Sequence, residues 1–293
     1  MKKDNKKRKK IPKRRVYFLA FLIVLTANVG VWAWFTISNR ARVENLSLIA
    51  DHQGNLQIAD DLGNGPGTYS DALNLNNATG TKMSSIVLSP ITSKDGVNFY
   101  IPNFDSLTNT VNSVTQLTDR TQLTKYYIYE KTFYLKAGSN SKNNVAEIKR
   151  TYDVALYGVK SNNRTNGCFI YQPTSSGDTA ANTIRISFTL PDGQTYVYEP
   201  NCNTHNSDTN RAINGIGSEY GTYANLYQQN ADGTFVNSPK VNESEKLFTL
   251  DENKDTLVTM RVWIEGTDND CTNSIASDMV AGQIQFISTE KKN

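Results

Sequence analysis

Histidine is almost missing from this 293-residue chain: His52 and His205 are the only two. Neither has a second histidine four residues away, so a helix-borne zinc site of the His-Glu-x-x-His kind is not encoded. His205 stands in a run of Asn, Thr and Asp that reads as a solvated loop. No Gly-x-Ser-x-Gly elbow marks a nucleophile, and no glycine-rich loop precedes a helix to cradle a phosphate. Sustained 3.6-residue apolar periodicity is missing too, as is any internal repeat at a fixed period. These absences argue against an enzyme and against a helical fold.

The first 35 residues carry the clearest signal. Ten of residues 1–15 are Lys or Arg, and an uncharged apolar run, Val16 to Phe35, follows them. A basic segment ahead of an apolar one keeps the N-terminus in the cytoplasm and sends the remainder outward. The run sits near the length of about 20 residues that a spanning helix needs. Val31 and Ala33 place small side chains before Trp34 in the pattern that signal peptidase cleaves, which favours removal at that point. Trp32, Trp34 and Phe35 suit the alternative, a retained single-pass helix with aromatic residues at the outer interface. Residues 1–15 thus read as a cytoplasmic basic region, 16–35 as the apolar helix or signal, and 36–293 as the exported domain. The expected location is extracellular or the cell surface.

Charge supports this division. The chain holds 31 basic and 28 acidic residues, of which residues 1–15 contain ten and one; the remainder has 21 against 27, a net of −6. The basic isoelectric point, about 8.6, therefore belongs to the membrane-directed segment. The exported part has no basic excess to track phosphates, and nucleic acid is not an expected partner.

That part reads as all-β, an antiparallel sandwich or jelly roll preceded by the one hydrophobic helix. Period-two alternation puts Ile184, Ile186, Phe188 and Leu190 on one face of a strand over Thr183–Leu190, with Arg185, Ser187 and Thr189 opposite. Leu257–Ile264 alternates likewise, and Tyr126–Lys136 carries Tyr127, Tyr129, Phe133 and Leu135 on its apolar face. Tyr152–Val159, Tyr196–Tyr198, Gln283–Ile287, Asn45–Ala50 and Asn55–Ile58 are further strands. Pro191-Asp192-Gly193 predicts a tight hairpin between Thr183–Leu190 and Thr195–Tyr198, and Asp95-Gly96 and Asp232-Gly233 are similar turn signals. Gly138–Asn144 reads as the loop to the strand after Ala146. Polar tracts near 201–245 read as surface insertions, and helices should be short and peripheral.

Two constellations invite chemistry. Glu265, Asp268 and Asp270 alternate with Gly, Thr and Asn just after a strand, and such carboxylates can supply oxygen ligands to calcium. No other cofactor is suggested. Cys168, Cys202 and Cys271 permit one disulfide outside the membrane and leave one thiol over in a monomer. Cys168 and Cys202 border the same expected hairpin and form the preferred pair; the other two pairings stay open.

The junction Val31-Trp32-Ala33-Trp34-Phe35-Thr36 resembles the processing region of camelysin and TasA-type biofilm-fibre proteins. Arg42–Leu48 is similar to the first strand that follows cleavage in that family, and Ala281–Phe286 to its last strand. The resemblance implies a jelly-roll domain, export with signal removal, and assembly into matrix fibres. In that picture the freed N-terminal segment, with Val43, Leu46 and Leu48, adds as a strand to a second copy or a related surface subunit. An unpaired sheet edge is a physical template for such addition. Some camelysin-type proteins are described as metallopeptidases; no motif here carries that activity. The alternative function is a monomeric, surface-tethered binding module for a glycan or protein ligand, using exposed aromatic residues.

Overall fold

In a computed structural model the described residues are 40–50, 56–80, 82–83, 86–93, 95–104, 111–138, 150–157, 167–173, 179–198, 246–268, 270–271, 275 and 278–291. The apolar run, Val31, Ala33 and Trp34, both histidines, Cys202, and the Asp232-Gly233 turn in the 201–245 tract lie outside them. Among the described residues no helix is long and apolar enough to cross a membrane.

The described part of the chain is mostly β-strand. One sheet is built on β1 (Ala41–Ala50) and β14 (Met279–Glu290), which lie side by side and parallel. Beyond β1 come β3 (Ala72–Asn74) and β4 (Val87–Leu88), both antiparallel to it. Beyond β14 come β8 (Thr151–Leu156) and β9 (Phe169–Tyr171), and β12 (Phe248–Asp251) closes that side against β8. The second sheet is antiparallel throughout. Its order is β11 (Thr195–Tyr198), β10 (Ile184–Thr189), β13 (Thr256–Ile264), β7 (Ile128–Ala137) and β2 (Leu56–Asp60). A separate hairpin pairs β5 (Tyr100–Phe104) with β6 (Val111–Gln116). Two short helices, α1 (Arg120–Tyr126) and α2 (Thr179–Asn182), complete the elements among the described residues.

The two large sheets share one apolar core. Val43, Leu46, Leu48, Val154, Leu156 and Ile284 face Ile58, Leu135, Ile186, Val258 and Met260. Phe286 of β14 meets two rings of the opposite sheet, Phe188 edge-on at 5.3 Å and Phe133 at 6.1 Å. Period-two patterning is the cause: on β13, Val258, Met260, Val262 and Ile264 all enter this core.

The expected hairpin after Thr189 is present, with Thr189 opposite Thr195. Gly193 takes φ +87, and the Asp192 carboxylate accepts from the Gln194 amide. The neighbouring strands, however, are more deeply buried than half-buried strands should be. Arg185 and Ser187, read as the outer face of β10, have no exposure. A second cluster covers them: Ile91, Phe99, Leu123, Ile128, Val197 and Trp263 pack on the side of the sheet away from the main core. Phe99 stands edge-on to Trp263 at 5.4 Å.

Local differences from the sequence reading have local causes. The strand expected from Tyr126 begins at Ile128, because Asp119 caps α1 by accepting from the Thr121 and Gln122 amides, and that helix runs through Tyr126. The strand expected over Tyr152–Val159 ends at Leu156. Beyond Gly138 the expected loop Gly138–Asn144 lies outside the described residues, and the next described strand, β8, belongs to the other sheet.

Candidate functional site

β1 carries the residues expected to act as a donor strand. Leu46, Leu48 and Val43 are buried, as are Ala41 and Ala50 at the strand ends. Inward positions at 41 and 43 and then at 46, 48 and 50 break the parity of a regular strand. The break is a β-bulge: two residues, Glu44 and Asn45, separate Val43 from Leu46 where the single residue Ala281 separates Val280 from Gly282. Asn45 adopts φ +54 there, and its side-chain oxygen accepts from the Asn76 amide group at 2.8 Å. Without the bulge, either Val43 or Leu46 would face away from the core.

β14 is shaped to receive this strand. Leu46 lies opposite Gly282 and Leu48 opposite Ile284. A Cβ on Gly282 would stand 2.3 Å from the Phe169 carbonyl oxygen, so only glycine lets β9 approach from the other side while β1 pairs on this one. On its far side, among the described residues, β1 meets only short partners, three residues of β3 and two of β4.

The acidic loop is built differently from an open ligand set. Glu265 is wholly buried; its carboxylate accepts from Trp263 Nε1 at 3.1 Å, from the Thr267 hydroxyl at 2.7 Å and from the Ser93 amide at 3.4 Å. Burial pushes this carboxyl above the ordinary glutamate range, against hydrogen bonds from Thr92, Thr267 and Trp263 and the Arg185 charge. Asp268 pairs with Arg185 at 2.5 Å. Asp270 accepts from the Asn182 side chain at 2.8 Å. Arg185 also donates to the carbonyls of Asn182 and Ile184. The three carboxylates thus fasten the end of β13 to the α2 turn and to β10. Among the described residues no three His, Cys, Asp or Glu side chains converge to hold a metal.

Cys168 and Cys271 are free thiols. Cys168 is buried, with its sulfur 3.2 Å from the Gln285 amide, and burial pushes the thiol up to about 12. Cys271 is raised well above its ordinary value by burial and by the nearby Asp268 and Glu265. Neither is prepared as a nucleophile.

A buried lysine, Lys131, escaped the sequence reading. The signal for it was present: Lys131 occupies the inward slot between Tyr129 and Phe133, where alternation calls for an apolar side chain. No family model, curated protein or solved structure matches this chain.

Proposed function

We propose that this chain is an exported cell-surface or extracellular-matrix subunit that assembles by β-strand addition, with the segment through β1 as the strand that is exchanged. The observation that carries the reading is the seat of β1. A strand from just beyond the membrane-directed segment lies inside the sheet, parallel to β14, rather than at its edge. Moving β1 from its own β14 to that of a second copy preserves every side-chain contact and adds a link between subunits.

Kinship with the camelysin and TasA-type fibre proteins, and a jelly-roll arrangement, belong to the same proposal. Their support is that the two segments carrying the resemblance, Arg42–Leu48 and Ala281–Phe286, are paired strands. Signal peptidase would cut before Trp34 and free the donor segment.

The test is the N-terminal sequence and native mass of protein recovered from outside the producing cell. A start at Trp34 in a filamentous or high-mass species is the expected result. A monomer with that start would replace assembly with the binding-module reading. An intact N-terminus in the membrane fraction would end the donor-strand reading.

A further inference from the structure

Lysine is seldom fully buried without a partner, since desolvating its charge is costly. Lys131 is 6% exposed, on the core face of β7, and its neighbours on that face, Tyr129 and Phe133, have no exposure at all. Its partner is Asp60, the last residue of the adjacent strand β2, with Nζ 2.5 Å from Oδ1.

The two groups form an ion pair that Thr79 holds from both sides. The hydrogen bond from Nζ goes to the Thr79 carbonyl, at 2.6 Å. Asp60 Oδ1 is buried and receives no hydrogen bond. The other oxygen, Oδ2, is held by the Thr79 amide at 2.5 Å. One residue therefore grips both partners, accepting a hydrogen bond from the amine with its carbonyl and donating one to the carboxyl with its N–H. The Tyr129 hydroxyl, buried beside them, has no hydrogen-bond partner either. Burial and the Asp60 charge hold that phenol protonated, so it remains a donor.

We propose that Lys131 and Asp60 join in an intramolecular amide linking β7 to β2. Although burial opposes it, contact with Lys131 and hydrogen bonds from Thr79 hold the Asp60 carboxyl below its ordinary range, so the pair rests charged. The step begins when a proton passes from the ammonium to Oδ1 and leaves a neutral amine against a neutral acid. The Nζ lone pair attacks Cγ, and the electron pair displaced onto Oδ2 is stabilised by the Thr79 amide. The Cγ–Oδ1 bond then breaks, and Oδ1 departs as water carrying two of the three ammonium hydrogens. A C–N bond replaces a C–O bond, charge is conserved, and no oxidant or co-reactant is needed. Fixed proximity of the two groups supplies the entropy such a step requires. The inference does not depend on strand exchange; it concerns the interior of one subunit.

The test is peptide mass spectrometry of the full chain, denatured and digested with trypsin. The expected product is a branched peptide joining the Asp60 and Lys131 segments, lighter than their sum by one water and uncut after Lys131. D60N must give the same branched peptide, because an asparagine would lose ammonia where the aspartate loses water. K131R must give only linear peptides. Linear peptides cleaved after Lys131 in the unmutated protein, at full mass, would overturn the proposal whatever the variants do.

Discussion

Arg185 and Asp268 meet at 2.5 Å with neither side chain exposed, 83 residues apart in the sequence. They tie the start of β10 to the loop leaving β13, beneath the cluster around Trp263. A pair this deep is judged by what its loss leaves behind. Removing one partner strands a charge in low dielectric, whereas removing both strands none.

Asp268→Ala is therefore expected to lower stability by about 3–5 kcal/mol, the range for breaking a buried pair. The double change Arg185→Met with Asp268→Leu should recover most of that loss. Urea denaturation checks this, through a midpoint that falls in the single variant and returns in the double at unchanged slope.

Glu265 makes stability depend on pH with a definite sign. Its folded carboxyl titrates above the ordinary value of 4.5 because it is buried. Between those two values the folded chain holds a proton that the unfolded chain has released. The Glu265 contribution is thus complete below the ordinary value and is lost as pH rises through the folded one. Glu265→Gln keeps an acceptor for Trp263 and removes the titration. Stability of the variant relative to the unmutated protein should rise with pH across that window, and a flat difference would refute the assignment.

Leu48 has no exposure and faces the core from β1. Leu48→Ala should cost about 2–5 kcal/mol in thermal or urea unfolding, as buried leucine truncations do. Ser47, the adjacent residue pointing the other way, is the control, and Ser47→Ala should stay within about 0.5 kcal/mol. On the assembly reading Leu48→Ala also shortens or abolishes filaments, visible by electron microscopy, while Ser47→Ala leaves them intact.

The thiols give a simple chemical check. With Cys168 pushed up to about 12 and Cys271 also raised, iodoacetamide at neutral pH should leave both unmodified in the folded protein. Both should react after unfolding in denaturant. Peptide mapping distinguishes them from Cys202.

Strand existence was legible wherever alternation ran unbroken: β10, β13 and most of β7 follow directly from period two. It faded where the period was interrupted. The bulge at Asn45 shifts parity, so alternation read back from Leu46 cannot recover Ala41 and Val43 as inward members of the same strand. Strands of two or three residues, such as β3 and β4, hold too few side chains for any period to emerge. α1 buries a single residue, Leu123, and offers no apolar stripe either. Partnership was the least visible property. Nothing local announces that β1 pairs with β14, or that the outer side of β10 lies under Phe99 and Trp263. The acidic loop illustrates the same limit: its carboxylates suggested cation ligands by spacing, while their actual partners, Arg185, Asn182 and Trp263, come from elsewhere in the fold or from the strand just before.

Because β1 and β14 run in the same direction side by side, they determine how the domain bears a load. Force applied at the start of β1 and the end of β14 pulls along the strands and strains all the hydrogen bonds between them at once. Antiparallel neighbours pulled in that way would peel apart one bond at a time. For anything held at one end and tugged at the other, the parallel pair is a mechanical clamp.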